Sequence, residues 1–293
     1  MVWLTRLSRF TLLAVLAVAL TLGLAVNVPA QVPAPLRSTS LSSKLENAFR
    51  APQGPGAPTP VNTEGGGTRS PCIASENTTI TALLPVSRIG ETIAEYPTIF
   101  WYMPKIAAET EAPAPGIKFV LKVSGKQQDS AGKPIPIVYY SAEYALAKSA
   151  EGVVGAPGIM SLSLTPSNFP SLSSLEIDKE YAWELTMSSC NYTDTDKSDE
   201  ITVDGGIKRV KLDPTLARRI QQATPQERVA LYAEKRLWYE TVASLVELRR
   251  ANPNDQNLAD AWGKLLSSVG LDVISKEPLF QGDRAFNTSS YSN

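Results

Sequence analysis

Between Arg69 and about Leu212 apolar and polar residues alternate with period two, the spacing of strands that bury one face. Ile117, Phe119, Leu121 and Val123 fall on one side of such a strand, with Lys118 and Lys122 on the other. Tyr181, Trp183, Leu185 and Met187 repeat the pattern. Residues 99–103 are apolar on both faces and bracketed by Pro97 and Pro104, so they are expected as a central strand covered on both sides. Weaker patterns run over 137–144, 159–164, 200–203 and 207–212, separated by turn-rich stretches at 129–132 and 152–158. Short strands at this spacing, with no helix between them, predict an antiparallel β-sandwich. Leu175 lies six residues before Tyr181, and Tyr181 opens a strand that carries Trp183. This spacing resembles the tyrosine corner of immunoglobulin and fibronectin type III modules, although Trp183 sits too close to Cys190 for the immunoglobulin Cys-Trp-Cys order.

After Asp213 the period lengthens to that of helices. Asp213-Pro214 is a cap followed by a first-turn proline, and Thr224-Pro225-Gln226-Glu227 is a capping box. Val229, Tyr232, Ala233, Leu237, Thr241, Leu245 and Leu248 share one stripe, which a bend at 235–238 would divide into two helices. A last helix starts near Asp255, with Leu258, Trp262, Leu265, Leu266 and Val269 on one face and Gly270 as its C-terminal cap. The expected fold class is therefore α+β: an immunoglobulin/fibronectin-III-like antiparallel β-sandwich over 70–212, followed by a small C-terminal helical layer over 213–280. Trp238 and Tyr239 point about 100° apart on a helix, so a single core stripe takes at most one of them. Packing of the pair against the sandwich is the expectation, and Trp238 and Tyr239 as a partner contact is the alternative.

The two ends read differently. Arg6 and Arg9 precede an apolar run over 10–26, and Val28-Pro29-Ala30 offers small residues for cleavage after Ala30, so 1–30 is expected as a secretory signal. An uncleaved anchor is the alternative, because the run is only slightly short of a bilayer span. Residues 31–69 turn to Pro, Gly, Ser and Thr and read as a flexible spacer, within which 40–50 offers a transient helix with Leu41, Leu45 and Phe49 on one face. Residues 281–293 are expected as a flexible tail.

Composition then narrows the chemistry. Taking Arg6 and Arg9 from 28 Lys and Arg leaves 26 bases against 29 acids, a net charge of −3, which argues against a nucleic-acid partner or an anionic membrane surface. No membrane insertion is expected after signal cleavage. The chain has no histidine, which removes Ser-His-Asp and Cys-His catalysis and most zinc sites together. Cys72 and Cys190 are expected to form one disulfide in an oxidising compartment, closing a loop worth on the order of 4 kcal/mol in the chain-entropy model.

Other motifs carry less. The run Asp194-Thr195-Asp196-Lys197-Ser198-Asp199-Glu200 places oxygens at alternate positions as a calcium loop would, but Asp199 stands where the loop needs glycine and Gly205 where it needs the bidentate acid. An acidic hairpin tip is the expectation there. Glu234 with Glu240, or Glu184 with Asp178, are the carboxylate pairs a glycan hydrolase would draw on, and nothing in the sequence sets either pair across a cleft. No catalytic residue, cofactor or metal is expected.

Several blocks recur together: Gly67-Thr68-Arg69-Ser70-Pro71-Cys72, Thr81-Ala82-Leu83-Leu84-Pro85, Phe100-Trp101-Tyr102, Tyr181-Ala182-Trp183, Gly206-Ile207-Lys208-Arg209-Val210 and Leu237-Trp238-Tyr239-Glu240-Thr241. With them the chain resembles an exported, mostly cyanobacterial family known as a domain of unknown function, number 928, from about Gly65 to Pro278. The resemblance implies a Gram-negative envelope location near surface-adhesion and secretion systems, and it supplies no activity. Many members carry Gly or Asn ahead of the Trp-Tyr pair, where this chain has Lys235-Arg236. The expected function is a non-catalytic, periplasmic or extracellular binding or scaffold protein whose partner is a protein or surface polymer. A carboxylate-dependent glycan hydrolase and a small-ligand-binding periplasmic module are the alternatives.

Overall fold

The structure, a computed structural model, describes residues 40–50, 79–106, 116–128, 134–149, 152–187, 200–280 and 286–287. Its strands are β1 (Thr81–Ala82), β2 (Ile89–Thr92), β3 (Thr98–Met103), β4 (Gly116–Gln128), β5 (Pro134–Leu146), β6 (Lys148–Ser149), β7 (Gly152–Val153), β8 (Gly158–Ser163), β9 (Glu180–Met187), β10 (Ile201–Arg209) and β11 (Phe286–Asn287). Its α-helices are α1 (Leu41–Phe49), α2 (Pro214–Gln222), α3 (Pro225–Glu234), α4 (Trp238–Ala251) and α5 (Gln256–Ser268). One sheet has the order β1-β3-β8, a second β11-β5-β4-β9-β10-β2, and β6 and β7 form a two-stranded ribbon. The chain is thus α+β, two sheets followed by helices, as the periodicity predicts.

The large sheet is built as the alternation requires. Register pairs Phe119 with Leu185 and Leu121 with Trp183, so the apolar rows of β4 and β9 face the same way and are buried except at Val123, which is half-buried. On β5 the alternation breaks, because Leu121 pairs with Tyr140 while Lys122 pairs with Val138. Tyr139 is the extra residue of this bulge, so both tyrosines turn inward: Tyr139 meets the ring of Tyr181 at 5.3 Å and Tyr140 that of Phe169 at 5.3 Å. A bulge of this kind is why 137–144 reads weakly as a strand.

Two strand expectations need correction. The segments 200–203 and 207–212 join into the single strand β10, because Gly205 lies flat where a Cβ would come within 2.7 Å of both Leu84 Cδ1 and the Trp183 ring. The sandwich is not wholly antiparallel either: β2 runs parallel to β10, with Gly206 opposite Ile89 and Arg209 opposite Thr92. At four residues, β2 is too short to show a period in the sequence.

The helical caps follow the sequence. The Asp213 side chain accepts from Leu216 N–H at 2.8 Å, and Thr224 and Glu227 bond reciprocally as a capping box. Those bonds hold the Glu227 carboxyl below its ordinary pKa. The expected bend occurs where α3 ends and α4 begins, and Arg236 there takes φ +57°. An L-residue with a Cβ is strained in that left-handed geometry, and glycine is not. Arg236→Gly should therefore raise stability by up to about 1 kcal/mol, seen as a higher urea midpoint with an unchanged slope. A lower midpoint would show that the turn is held by the arginine side chain.

Both flanks depart from expectation. Residues 40–50 are not spacer: α1 is capped by Ser40, whose hydroxyl accepts from Ser43 N–H, and it buries Leu45 and Phe49 against α3, α5 and Trp238. A nine-residue helix is marginal alone, and here tertiary burial supplies what propensity lacks. In the tail, Phe286 and Asn287 pair with Leu146 and Ala145 at the open edge of β5, so this part of 281–293 is ordered strand. Cys72, Cys190, residues 194–199 and the rest of the expected spacer lie outside the described residues.

Candidate functional site

Helix α4 enters the core through Trp238 and Tyr239, which are 1% and 3% exposed. Their 100° separation lets each ring serve a different sheet. Trp238 Nε1 donates to the carbonyl of Leu83, just after β1, at 3.0 Å. Tyr239 Oη donates to the carbonyl of Gly206 on β10 at 2.8 Å and accepts from Trp183 Nε1 on β9 at 3.2 Å. Burial pushes the Tyr239 hydroxyl pKa up, consistent with a donor locked in its neutral form. The edge of Phe49 meets Trp238 at a centroid distance of 5.0 Å, which ties α1 to the same point. The pair is therefore a buried joint between sheets and helices, as packing against the sandwich requires, and the alternative of a partner contact at Trp238 and Tyr239 is corrected.

Glu240 follows directly in the first turn of α4. Its Oε1 accepts from Thr92 Oγ1 at 2.6 Å, Ile93 N–H at 2.9 Å and Ala94 N–H at 3.1 Å, pinning the chain that leaves β2. Its Oε2 is buried without a hydrogen-bond partner. Burial pushes the carboxyl pKa up against the pull of those donors. Sequence reasoning missed this role; the sole signal was an acid beside two aromatic residues at a helix start.

The accessible feature lies on the outer face of the six-stranded sheet. One cross-strand row there reads Lys122, Ala182, Gly206, Ile89. With a methyl group and a hydrogen at its centre, the row sinks into an open groove of about 260 Å³. A Cβ at Gly206 would come within 2.7 Å of Ile89 Cγ1, so glycine is what leaves room for the isoleucine wall. Charge pairs rim the floor: Lys122 Nζ to Glu184 Oε1 at 2.5 Å, Arg88 Nη2 to Asp204 Oδ1 at 2.7 Å, and Lys208 to Glu180 at 4.0 Å. Ile89, 41% exposed, is the apolar wall. The groove thus offers both signs of charge and an aliphatic surface on a rigid sheet.

With this geometry in place, the comparison with known families is decisive on one point. The model described as Domain of Unknown Function (DUF928) matches residues 64–279. The chain belongs to this family. No curated protein matches it. The family domain holds strands β1 to β10 and helices α2 to α5, while α1 precedes the matched residues and β11 follows them.

Within the family domain the acids singled out from the sequence have separate neighbours. Glu234 pairs with Arg219 at 3.1 Å on the surface, and that ion pair holds its carboxyl below the ordinary pKa. Glu240 is the pin described above, Glu184 pairs with Lys122 of the groove, and Asp178 occupies a turn at φ +62°. Among the described residues no three His, Cys, Asp or Glu side chains form a group suited to a metal ion, and no helix is long and apolar enough to cross a membrane.

Proposed function

We propose that this chain is a non-catalytic binding protein of the cell envelope that holds a polypeptide or surface polymer against the outer face of its six-stranded sheet, in support of a surface or secretion-related assembly. The groove over Ala182 and Gly206 carries the reading. At about 260 Å³ it is smaller than the roughly 300–1,000 Å³ of pockets that enclose small ligands, and it is open rather than closed. A shallow site with paired charges and one aliphatic wall suits an extended chain with alternating side chains, whose backbone can lie along the sheet. Export by the signal over 1–30 and a Cys72–Cys190 bridge formed in an oxidising space belong to the same proposal.

An immunoglobulin/fibronectin-III-like topology of the sandwich is also part of it. Two features support it: the Tyr181 hydroxyl accepts from Glu176 N–H at 3.0 Å, five residues upstream, and β9 and β10 lie side by side in the larger sheet.

The test is a photo-crosslinking residue at position 182 in intact cells, with the same residue at exposed position 247 as a control. A discrete adduct from 182 alone is expected. The same products from both positions, or none from 182, would overturn the proposal. Ala182→Arg, which fills the groove from an exposed position, should reduce capture of that partner by about tenfold or more, equivalent to 1.4 kcal/mol. Its unfolding free energy should stay within about 0.5 kcal/mol of the parent, since no core contact changes.

A further inference from the structure

The segment α1 lies outside the family-matched residues, yet Leu45 is 0% and Phe49 4% exposed. The surface that buries them is formed by α3, α5 and the Trp238 ring, all within the family domain. The family domain therefore carries an apolar groove between two helices, and this chain fills it with a helix from beyond the domain.

The groove has polarity as well as shape. On the α5 wall Lys264 Nζ faces Glu46 Oε2 at 3.5 Å, and Glu46 is held below its ordinary pKa mainly by Arg50 and also by this lysine. A helix seated here must carry an apolar i, i+4, i+8 stripe like Leu41, Leu45 and Phe49 and an acid toward Lys264 of α5.

The connection is long. Residues 51–78, which join α1 to the strands, include Pro52, Pro55, Pro58, Pro60 and the run Gly65-Gly66-Gly67. A linker of that length gives an effective concentration in the millimolar range at most, which a good competitor can match. Two fully buried side chains hold nine residues of helix, so α1 belongs to the low-stability end of the fold.

We infer that the α3–α5 groove is a docking site for an amphipathic helix of a partner protein with this apolar and charge pattern, and that α1 is its resident, displaceable occupant. Displacement frees the N-terminal segment and exposes Trp238 to the incoming helix.

Two measurements test this on the full chain. The first is hydrogen exchange on the unaltered protein. The amides of α1 should exchange well before those of α4 and α5, and an excess of a synthetic peptide covering 40–50 should leave α1 faster still. Protection of α1 equal to that of α5 would overturn the proposal. The second uses Leu45→Ala/Phe49→Ala, which undocks α1, with fluorescence anisotropy of the labelled 40–50 peptide. Saturable binding at least about tenfold tighter than to the unaltered chain is expected. Adding Lys264→Glu should weaken it about fivefold, and a Glu46→Lys peptide should recover it. Binding indifferent to this charge exchange, or absent, would overturn the proposal, as would a dimer of the variant in which a second copy fills the groove.

Discussion

Trp238→Ala is expected to lower the unfolding free energy by about 3–5 kcal/mol, as truncations of fully buried large aromatic residues do. The indole is 1% exposed and is both the contact for Phe49 and the donor to Leu83. Its removal opens a cavity where both sheets meet α4 and leaves the Leu83 carbonyl without that donor. Trp238→Phe separates these contributions, since it retains most of the packing and loses only the hydrogen bond; its cost should fall to about 1–2 kcal/mol. Urea unfolding at constant slope measures both. A loss below about 1 kcal/mol for the alanine variant would mean that the core closes without this ring.

Glu240→Ala should cost about 2–4 kcal/mol, because Ile93 N–H, Ala94 N–H and the Thr92 hydroxyl lose one shared acceptor beneath α4. Glu240→Gln preserves an acceptor oxygen and should cost far less. The two carboxamide and carboxyl forms also differ in pH dependence, and the sign is determined. Burial raises the folded pKa of Glu240 above its ordinary value. Between the unfolded and folded values the folded chain binds more protons, so this group's contribution to stability falls as pH rises and is lost above the folded pKa. The glutamine variant has no such proton. Its stability relative to the parent should therefore improve across that interval when urea midpoints are taken from about pH 4 to about pH 8. The depressed carboxyls Glu46, Glu227 and Glu234 act in the opposite direction but equally in both proteins, so they cancel in the difference. Parallel curves would show that Glu240 ionises in the fold as it does in water.

Much of the architecture was legible where a residue's role depends on its chain neighbours. The inward rows of β4 and β9, the caps at Asp213 and Thr224 and the stop at Gly270 are local patterns, and they appear where expected. The bend ahead of Trp238 also appears, with an arginine where glycine would be easier. The candidate site was not legible. A groove made by Ala182 and Gly206 exists only because register sets two small residues side by side from different strands. The same limit hid Glu240, whose partners lie at and just after a strand about 150 residues earlier, and it left a partner contact open for Trp238 and Tyr239, which the fold buries.

By itself, then, the order of residues determined the element types, most of their ends, the face each presents and the absence of imidazole chemistry. Tertiary structure alone decided that β2 joins β10 in parallel, that α1 leaves the spacer for the core, and that two small residues open a groove. Period and capping act over a few residues along the chain, whereas burial, register and desolvation depend on what the fold brings in from far away.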